Sequence, residues 1–164
     1  MKIQNNFAMT FGIGVAVIAV AVAGILYLQR GRQMQMPGKV LKVRTAPLDE
    51  HSSVAVIDFR VANLSDVLFV VRTVSVEMED KQGRISPGTV AAEMDTDRLF
   101  EAVPLLGQKF NNSLIARDRV PAHTSMDRMI AARFESPESE LDVRKRFIVR
   151  VEEMDGESFE LAER

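Results

Sequence analysis

The stretch that decides the fold reads VAVIDFRVA at residues 54–62. Apolar side chains recur at every second position of it, at Ala55, Ile57, Phe59 and Val61. Asp58 and Arg60 lie between them. Successive side chains of a strand point to opposite faces, so this alternation predicts a half-buried β-strand.

Comparable short runs occur before and after it, with turn-forming residues between most of them, at 39–44, 68–78, 114–119, 126–135, 147–152 and 159–161. Asp155-Gly156 is the strongest hairpin signal, typical of a two-residue turn with positive φ. About seven short strands at this spacing predict a mainly β fold, an antiparallel immunoglobulin-like β-sandwich over residues 39–164.

Some local features depart from plain alternation. Strict alternation in residues 39–44 places Val40 and Lys42 on one face. Arg72 interrupts the apolar face of its run, which predicts a β-bulge or an edge position. Residues 86–88 (Ser-Pro-Gly) predict a break in the chain.

A short helix near 96–106 is predicted between the strands. Leu99, Phe100 and Val103 have helical spacing, and Pro104 and Gly107 end the helix. Asp95-Thr-Asp97 resembles the start of a calcium loop, but the rest of that loop is missing, so Thr96 or Asp97 is better read as the N-cap. The apolar side should pack on the sheet edge. Ser139 and Asp142 have capping-box spacing, which predicts one more helical turn.

Residues 7–28 (FAMTFGIGVAVIAVAVAGILYL) contain no charged side chain. A helix of this length is about 33 Å long, enough to cross a hydrocarbon core of about 30 Å. We therefore predict an N-terminal tail at 1–6, a transmembrane helix at 7–28 in the lipid bilayer and a linker at 29–38. A cleaved signal peptide is the rival, with a small-residue pattern ending at Ala23. The apolar run continues past that point, which favours an uncleaved anchor.

Two considerations indicate opposite orientations of the chain in the membrane. Arg30 and Arg32 follow the segment, with further basic residues at Lys39 and Lys42, and the positive-inside rule places the large domain in the cytoplasm. Short-tailed anchors nevertheless present β-domains outside, and long domains translocate despite flanking charge. We expect a single-pass cell membrane protein with its large domain outside the cytoplasm.

Composition excludes several classes of function. All 23 acidic residues follow residue 32, and the domain is mildly acidic, so a nucleic-acid binder is not expected. The chain has no cysteine, which excludes disulfides, thiol catalysis and zinc–thiolate sites. Trp is absent and Tyr27 is the one tyrosine, so aromatic stacking platforms are not expected either.

The second half is similar to a known class of domain. Val120-Pro121 is followed by a turn, a strand at 126–135, Ser136-Pro137, a strand at 147–153 and Asp155-Gly156. This order resembles the closing strands of LEA-type and telokin-like immunoglobulin-like domains of bacterial envelope proteins. The resemblance implies a noncatalytic binding or spacing module. It implies no functional residues, because the shared positions are structural.

Two histidines are the candidates for chemistry. His123 lies in VPAHTSMD, residues 120–127, with Ser125 and Asp127, and His51 follows Asp49 and Glu50. A catalytic triad needs a histidine that reaches both partners in space, which neighbours in a turn rarely achieve. Neither histidine has metal-ligand spacing such as HxxxH. We predict no catalytic residue, no cofactor and no metal site, with a metal or hydrolytic site near His51 or His123 as the weaker alternative.

Two surface features remain as possible binding sites. The basic cluster at 144–146 with Arg150 lies among many acidic residues and is typical of a charged exposed face. Phe100, Val103, Leu105 and Leu106 form either core or an exposed apolar ledge for a partner. We expect a noncatalytic membrane-anchored module that mediates protein interaction or envelope structure. The alternative is an accessory subunit of a membrane complex whose transmembrane helix packs on partner helices.

Overall fold

The computed structural model describes residues 3–29 and 36–163, which belong to two compact units, residues 1–33 and 34–164. The first unit contains helix α1, Ile3–Gln29, which includes the predicted membrane segment 7–28. Every side chain described in it, at 11–24, is exposed. Most of the predicted linker, at 30–35, lies outside the described residues. No helix made of fully described residues is long and apolar enough to cross a membrane.

The second unit is mainly β, as predicted. Its strands are β1 Gly38–Pro47, β2 Ser53–Asn63, β3 Phe69–Glu79, β4 Ile85–Val90, β5 Arg119–Val120, β6 Thr124–Phe134, β7 Arg146–Glu153 and β8 Ser158–Ala162. Its helices are α2 Glu93–Ala102 and α3 Glu138–Asp142, with a 3-10 turn at Pro104–Leu106.

The strands form one curled antiparallel sheet in the order β1-β2-β6-β4-β3-β7-β8, and β5 pairs with β3. Strand β4 joins the two halves, because its first residues pair with β3 and its last residues pair with β6. The halves β1-β2-β6 and β3-β7-β8 therefore face each other as the two layers of a sandwich. Strands β1 and β8 are the two ends of the path.

The main hydrophobic core lies between these layers. The predicted inner faces are confirmed for three strands, with Ala55, Ile57, Phe59 and Val61 from β2, Ile130, Ala132 and Phe134 from β6, and Phe147, Val149 and Val151 from β7. Phe134 and Phe147 meet across the core with ring centroids 5.4 Å apart. Burial of these large side chains is the main source of the domain's stability.

Bulges shift the faces of two strands. In β1 the register shifts between Val40 and Lys42, so Val40 and Val43 both pack against the core while Lys42 is exposed. The predicted alternation of this strand is therefore wrong, because Leu41 is an extra residue in the pairing. In β3 a shift between Val71 and Thr73 confirms the bulge predicted at Arg72.

The outer face of β2 is also buried, which the sequence did not predict. Val54 and Val56 join a second cluster with Leu106 and Met129, and Leu99, Phe100 and Val103 of the α2 region pack against it. Helix α2 thus covers the outer face of β2 and β6, not the sheet edge. The short helix itself is confirmed, but it begins at Glu93 after Ala92 and has no side-chain cap.

The structure corrects the predicted N-cap of α2 and places the predicted stop residues in the 3-10 turn that follows the helix. Thr96 lies inside the helix, where its hydroxyl donates to the Ala92 carbonyl at 3.0 Å. The prediction that Thr96 or Asp97 caps the helix is therefore wrong. Pro104 begins the 3-10 turn, and Gly107 ends it with φ of 73°. A capping box at Ser139 is also wrong, since the N-cap of α3 is Pro137 without a side-chain bond.

Three further predictions are corrected by the strand pairing. Residues 86–88 lie within β4, since Ser86, Pro87 and Gly88 all pair with β3. The predicted strand 114–119 is reduced to β5 and an isolated bridge at Ser113. The hairpin at Asp155-Gly156 is confirmed, but its loop covers 154–157 and only Gly156 has positive φ there.

Candidate interaction surfaces

The stretch VPAHTSMD contains the last residue of β5, the connection at 121–123 and the first residues of β6. His123 has φ of 55° and its Nε2 lies 2.9 Å from Asp66 Oδ1, with both side chains mostly exposed. Asp127 binds a different residue, because Arg60 donates to both of its carboxylate oxygens at 2.6 and 2.8 Å. These bonds from Arg60 hold the pKa of Asp127 below its ordinary value. The histidine and the carboxylate of the stretch thus have separate partners.

His51 lies in the turn between β1 and β2. Asp49 accepts the His51 backbone N–H at 2.8 Å and the Ser52 hydroxyl at 2.6 Å, and the bond from Ser52 is the largest cause that lowers the pKa of Asp49. His51 precedes β2, whereas His123 lies beside its far end, where Asn63 pairs with Thr124. An eleven-residue strand is about 36 Å long, so the two histidines cannot share one site. Residues 3–29 and 36–163 contain no group of three metal-binding side chains.

The basic cluster at 144–146 is held by acidic neighbours. Lys145 and Arg146 both bind Glu79, at 2.6 and 2.5 Å, and these bonds lower the pKa of Glu79. Arg144 binds Glu163 at 2.6 Å and lies over the Phe147 ring. The cluster therefore joins β3, β7 and the residues after β8, and its Arg144 side chain is only 15% exposed.

The predicted apolar ledge is mostly core. Leu106 is fully buried, and Phe100 and Val103 are partly buried against the outer face of β2. Leu105 is 78% exposed, and Phe110 shortly after it is 62% exposed. Of the four residues predicted to form the ledge, only Leu105 is exposed.

A buried ion pair that the sequence did not indicate holds this region. Arg44 Nη2 lies 2.8 Å from Asp58 Oδ2, and Arg44 Nη1 donates to the carbonyls of Leu106 and Gln108. Asn111 donates to the other Asp58 oxygen at 2.8 Å. The cluster fixes the segment after α2 onto β1 and β2. Alternation alone places Asp58 on the face opposite Ile57 and Phe59 and does not indicate that this face is covered.

One carboxylate is buried without an ion pair to any described residue. Glu153, at the end of β7, is 5% exposed. Its burial raises the pKa, and the charges of Asp155 and Glu157 add to the increase, against a backbone hydrogen bond from Val70. The charged form of this carboxylate is therefore disfavoured in the folded chain.

One concave surface of the domain is a groove of about 810 Å³ between β1 and β8. It is lined by residues 38–43 of β1, by Arg146 and by residues 160–163. The two strands are the ends of the sheet and do not pair with each other. At one point they nearly touch, since a Cβ on Gly38 would lie 2.6 Å from Leu161 Cδ2. We define this surface as the β1–β8 groove.

Some charged side chains along the β1–β8 groove form ion pairs and others do not. Glu160 binds Arg150 at 2.6 Å, and Arg146 and Glu163 have the partners described above. Lys39 and Lys42 of β1 are exposed and form no ion pair within the part of the chain that the structure describes. Lys42 lies over the Phe110 ring at 5.4 Å. The charge of Lys39 acts on Asp127, where it adds to the effect of Arg60 in lowering the pKa of that carboxyl.

Comparisons with known proteins give little beyond this geometry. Neither the protein-family models nor the curated proteins contain a match. Similar solved structures include the archaellum periplasmic stator protein FlaG from Sulfolobus acidocaldarius, with 10% identity over 80% of this chain and 98% of that chain, at a TM-score of 0.36.

Two others have comparable values. An uncharacterized β-sandwich protein from Clostridium difficile 630 has 8% identity over 80% of this chain and 90% of that chain, with a TM-score of 0.37. The Iho670 flagellar-like filament has 12% identity over 95% and 97%, with a TM-score of 0.35. At these values the similarities assign no family, activity or partner to this chain.

Proposed function

We propose that this chain is a single-pass membrane protein whose β-sandwich binds another protein without catalysis. The exposed apolar surface of helix α1 is the observation that supports this proposal. Its side chains at 11–24 are exposed although none of them is polar, and seven are large hydrophobic residues at least 48% exposed. A helix that is apolar on all sides requires an apolar environment, either a protein core or a bilayer.

The length of the apolar run favours the bilayer. Residues 7–28 are uncharged and lie within one continuous helix, Ile3–Gln29. At about 1.5 Å per residue, such a run matches a hydrocarbon core of about 30 Å. Tyr27 near its end suits the interface, and Arg30 and Arg32 suit the headgroups.

The domain favours binding without catalysis, because the polar side chains that were candidates for chemistry bind one another. His123, Asp127 and the basic cluster at 144–146 each have a partner that stabilises the fold. The open groove is instead a shape that a partner can occupy. This is the noncatalytic role that the LEA-type and telokin-like resemblance implies, and we place the domain outside the cytoplasm.

One face of α1 supports the accessory-subunit alternative. Val15, Ile18, Ala19, Val22 and Ala23 lie on one face of the helix. Small residues at such positions allow a second helix to approach closely. In that case the helix itself, and not the domain, would recognise the partner.

A span exchange separates the two proposals. Residues 7–28 are replaced by an unrelated apolar span of the same length, and partners are crosslinked in cells and recovered from membranes. Domain-mediated binding predicts the same crosslinked partner with either span. If the partner is lost with the exchanged span while the chain stays in the membrane, then α1 and not the domain recognises the partner. A matched control exchanges only residues 12, 14 and 24 from glycine to alanine.

A further inference from the structure

We propose that one end of the β-sandwich docks on the lipid bilayer through the loop between β2 and β3, residues 64–68. Leu64, Val67 and Leu68 of this loop enter the interface between the headgroups and the acyl chains. This inference deepens the proposed function and rests on it, since it adds a second lipid contact to a chain that is anchored by its apolar helix.

The 64–68 loop exposes three large apolar side chains within five residues. Leu64, Val67 and Leu68 are 54%, 37% and 44% exposed. A single exposed apolar side chain is ordinary on a protein surface, whereas a group of them marks an interaction surface. Asp66 is the one charged residue of the loop, and its Oδ1 lies 2.9 Å from His123 Nε2. The loop thus has the composition of a segment that contacts an apolar surface.

Buried polar side chains hold the 64–68 loop in place. Asn63 is fully buried, and its Nδ2 donates to the carbonyls of Val67 and Val120 at 2.8 and 2.9 Å. Ser65 is 5% exposed, and its backbone N–H donates to Asn63 Oδ1 at 3.0 Å. Because these bonds fix the loop backbone, the exposed apolar side chains are part of the folded structure. A surface that is already ordered pays less conformational entropy when it binds.

The chain enters the domain beside this loop. Met36 is buried in the main core. The carbonyl of the next residue, Pro37, accepts the Ala62 backbone N–H at 2.9 Å. Ala62 comes two residues before the loop in the sequence. The point of entry and the exposed apolar loop are therefore at the same end of the sandwich.

A short length of chain keeps this end of the domain near the membrane. The proposed function assigns Arg32 to the headgroups, and the chain from residue 32 to residue 36 covers at most about 14 Å. The opposite end of the sandwich, where β2 begins, is about 36 Å from the loop, which is the length of β2. The lipid interface is thus an apolar surface within reach of the loop.

Charges at this end favour an apolar contact over attraction to anionic headgroups. Asp155 and Glu157 are exposed in the β7–β8 hairpin, and Arg117 and Arg119 are exposed beside β3. Both groups adjoin Val70, which pairs with Arg119 and whose carbonyl accepts the Met154 N–H at 3.1 Å. Charges of both signs give little net attraction to an anionic surface. We therefore expect docking on zwitterionic lipid alone.

The test uses the full chain in phosphatidylcholine vesicles with one introduced cysteine, since the chain has 0 Cys. Leu64→Cys carries an environment-sensitive fluorophore. Val143→Cys, just before β7 begins at the opposite end, is the matched control, because Leu64 and Val143 are 54% and 56% exposed. Lipids brominated on their acyl chains quench a fluorophore that enters the bilayer. We expect quenching at position 64 and none at position 143.

Substitutions in the loop separate insertion from mere proximity to the membrane. The double variant Val67→Asp, Leu68→Asp in the Leu64→Cys chain should abolish quenching, because charged side chains resist transfer into lipid. Ile85→Asp is the matched control at the opposite end, where Ile85 is 49% exposed, and it should leave quenching unchanged. Far-ultraviolet circular dichroism and the urea midpoint verify that each variant is folded.

Flotation of the chain with the vesicles is measured in the same samples, so the failure of the anchor and the failure of docking are distinguishable. A chain that does not float contradicts both proposals. A chain that floats without quenching at position 64 overturns the docking and leaves the anchor intact. Equal quenching at positions 64 and 143, or quenching that requires anionic lipid or persists in the double aspartate variant, also overturns it.

The other occupants of this surface give different results. A second copy of the chain would shield position 64 from solvent as the protein density in the vesicles rises, without quenching by brominated lipid. A partner protein would leave position 64 unquenched in vesicles and crosslinked to that protein in cells. Either result would overturn docking on lipid.

Discussion

Arg44 and Asp58 form a buried ion pair on the outer face of the sheet, with 9% and 4% of their side chains exposed and 2.8 Å between Nη2 and Oδ2. The pair faces the segment after α2, because Arg44 also donates to the Leu106 and Gln108 carbonyls. Removing one partner would leave a buried charge and also release this segment.

We therefore expect Arg44→Met to lower the free energy of unfolding by about 3 kcal/mol, since breaking a buried pair leaves an uncompensated charge. Urea denaturation of the full chain in micelles measures the change. The double variant Arg44→Met, Asp58→Leu should recover part of the loss. A loss under about 1 kcal/mol for the single variant would show that the pair does not hold the segment.

The exposed pair Arg60–Asp127 is the matched control. Its side chains are 49% and 34% exposed, so solvent screens the interaction. Asp127→Asn should change the free energy of unfolding by less than about 1 kcal/mol. A loss as large as that of Arg44→Met would give this cross-strand pair a role beyond a surface contact.

Gly88 lets β4 lie against the core. A Cβ at this position would meet Phe134 Cζ at 2.7 Å, so Gly88→Ala must displace a packed ring. We expect a loss of about 1–3 kcal/mol, the range for overpacked cores. Thr89→Ala on the exposed face of the same strand should cost less than about 1 kcal/mol. Equal losses for the two variants would contradict the close approach.

Glu153 makes the stability of the folded chain depend on pH. Burial raises its folded-state pKa above the ordinary 4.5, so the folded chain holds a proton that the unfolded chain releases. Stability from this group is therefore largest below pH 4.5 and falls as pH rises through the raised pKa. Glu153→Gln should stabilise the chain at pH 7 and flatten this part of the profile. Denaturation at several pH values checks it, and a less stable Glu153→Gln variant at pH 7 contradicts it.

Orientation can be read from a single introduced cysteine, because the chain has 0 Cys. Leu105 is 78% exposed, so Leu105→Cys should react without disturbing the core. With the domain outside the cytoplasm, a membrane-impermeant maleimide should label intact cells. Labelling only after lysis would place the domain inside, as Arg30 and Arg32 alone would predict.

Local patterning predicted the inner face of the sandwich and missed what covers its outside. The alternation from Ala55 to Val61 depends only on the strand itself. Burial of Val54 and Val56 depends on Leu106, fifty residues later, and a period of two cannot indicate that contact. The bulge at Leu41 is missed for a related reason, because one inserted residue reverses the faces that strict alternation assigns.

Neither the contact of His123 with Asp66 nor the β1–β8 groove could be predicted from the sequence. Asp66 lies in the turn after β2, far from His123 along the chain, and its Oδ1 is 2.9 Å from His123 Nε2. The β1–β8 groove joins residues 38–43 to residues 160–163, from opposite ends of the domain. Only the complete pairing order of the strands shows that β1 and β8 are the ends of the sheet, and local sequence patterns do not contain that order.

Membrane insertion of α1 is the central claim, and an alkaline carbonate wash of isolated membranes tests it most directly. The full chain should stay in the membrane pellet. The double variant Val17→Asp, Val20→Asp should be released, because each aspartate near the middle of a span costs about 2.5–3.5 kcal/mol, while Val17→Ala, Val20→Ala should stay. Recovery of the unaltered full chain in the carbonate supernatant would contradict the account.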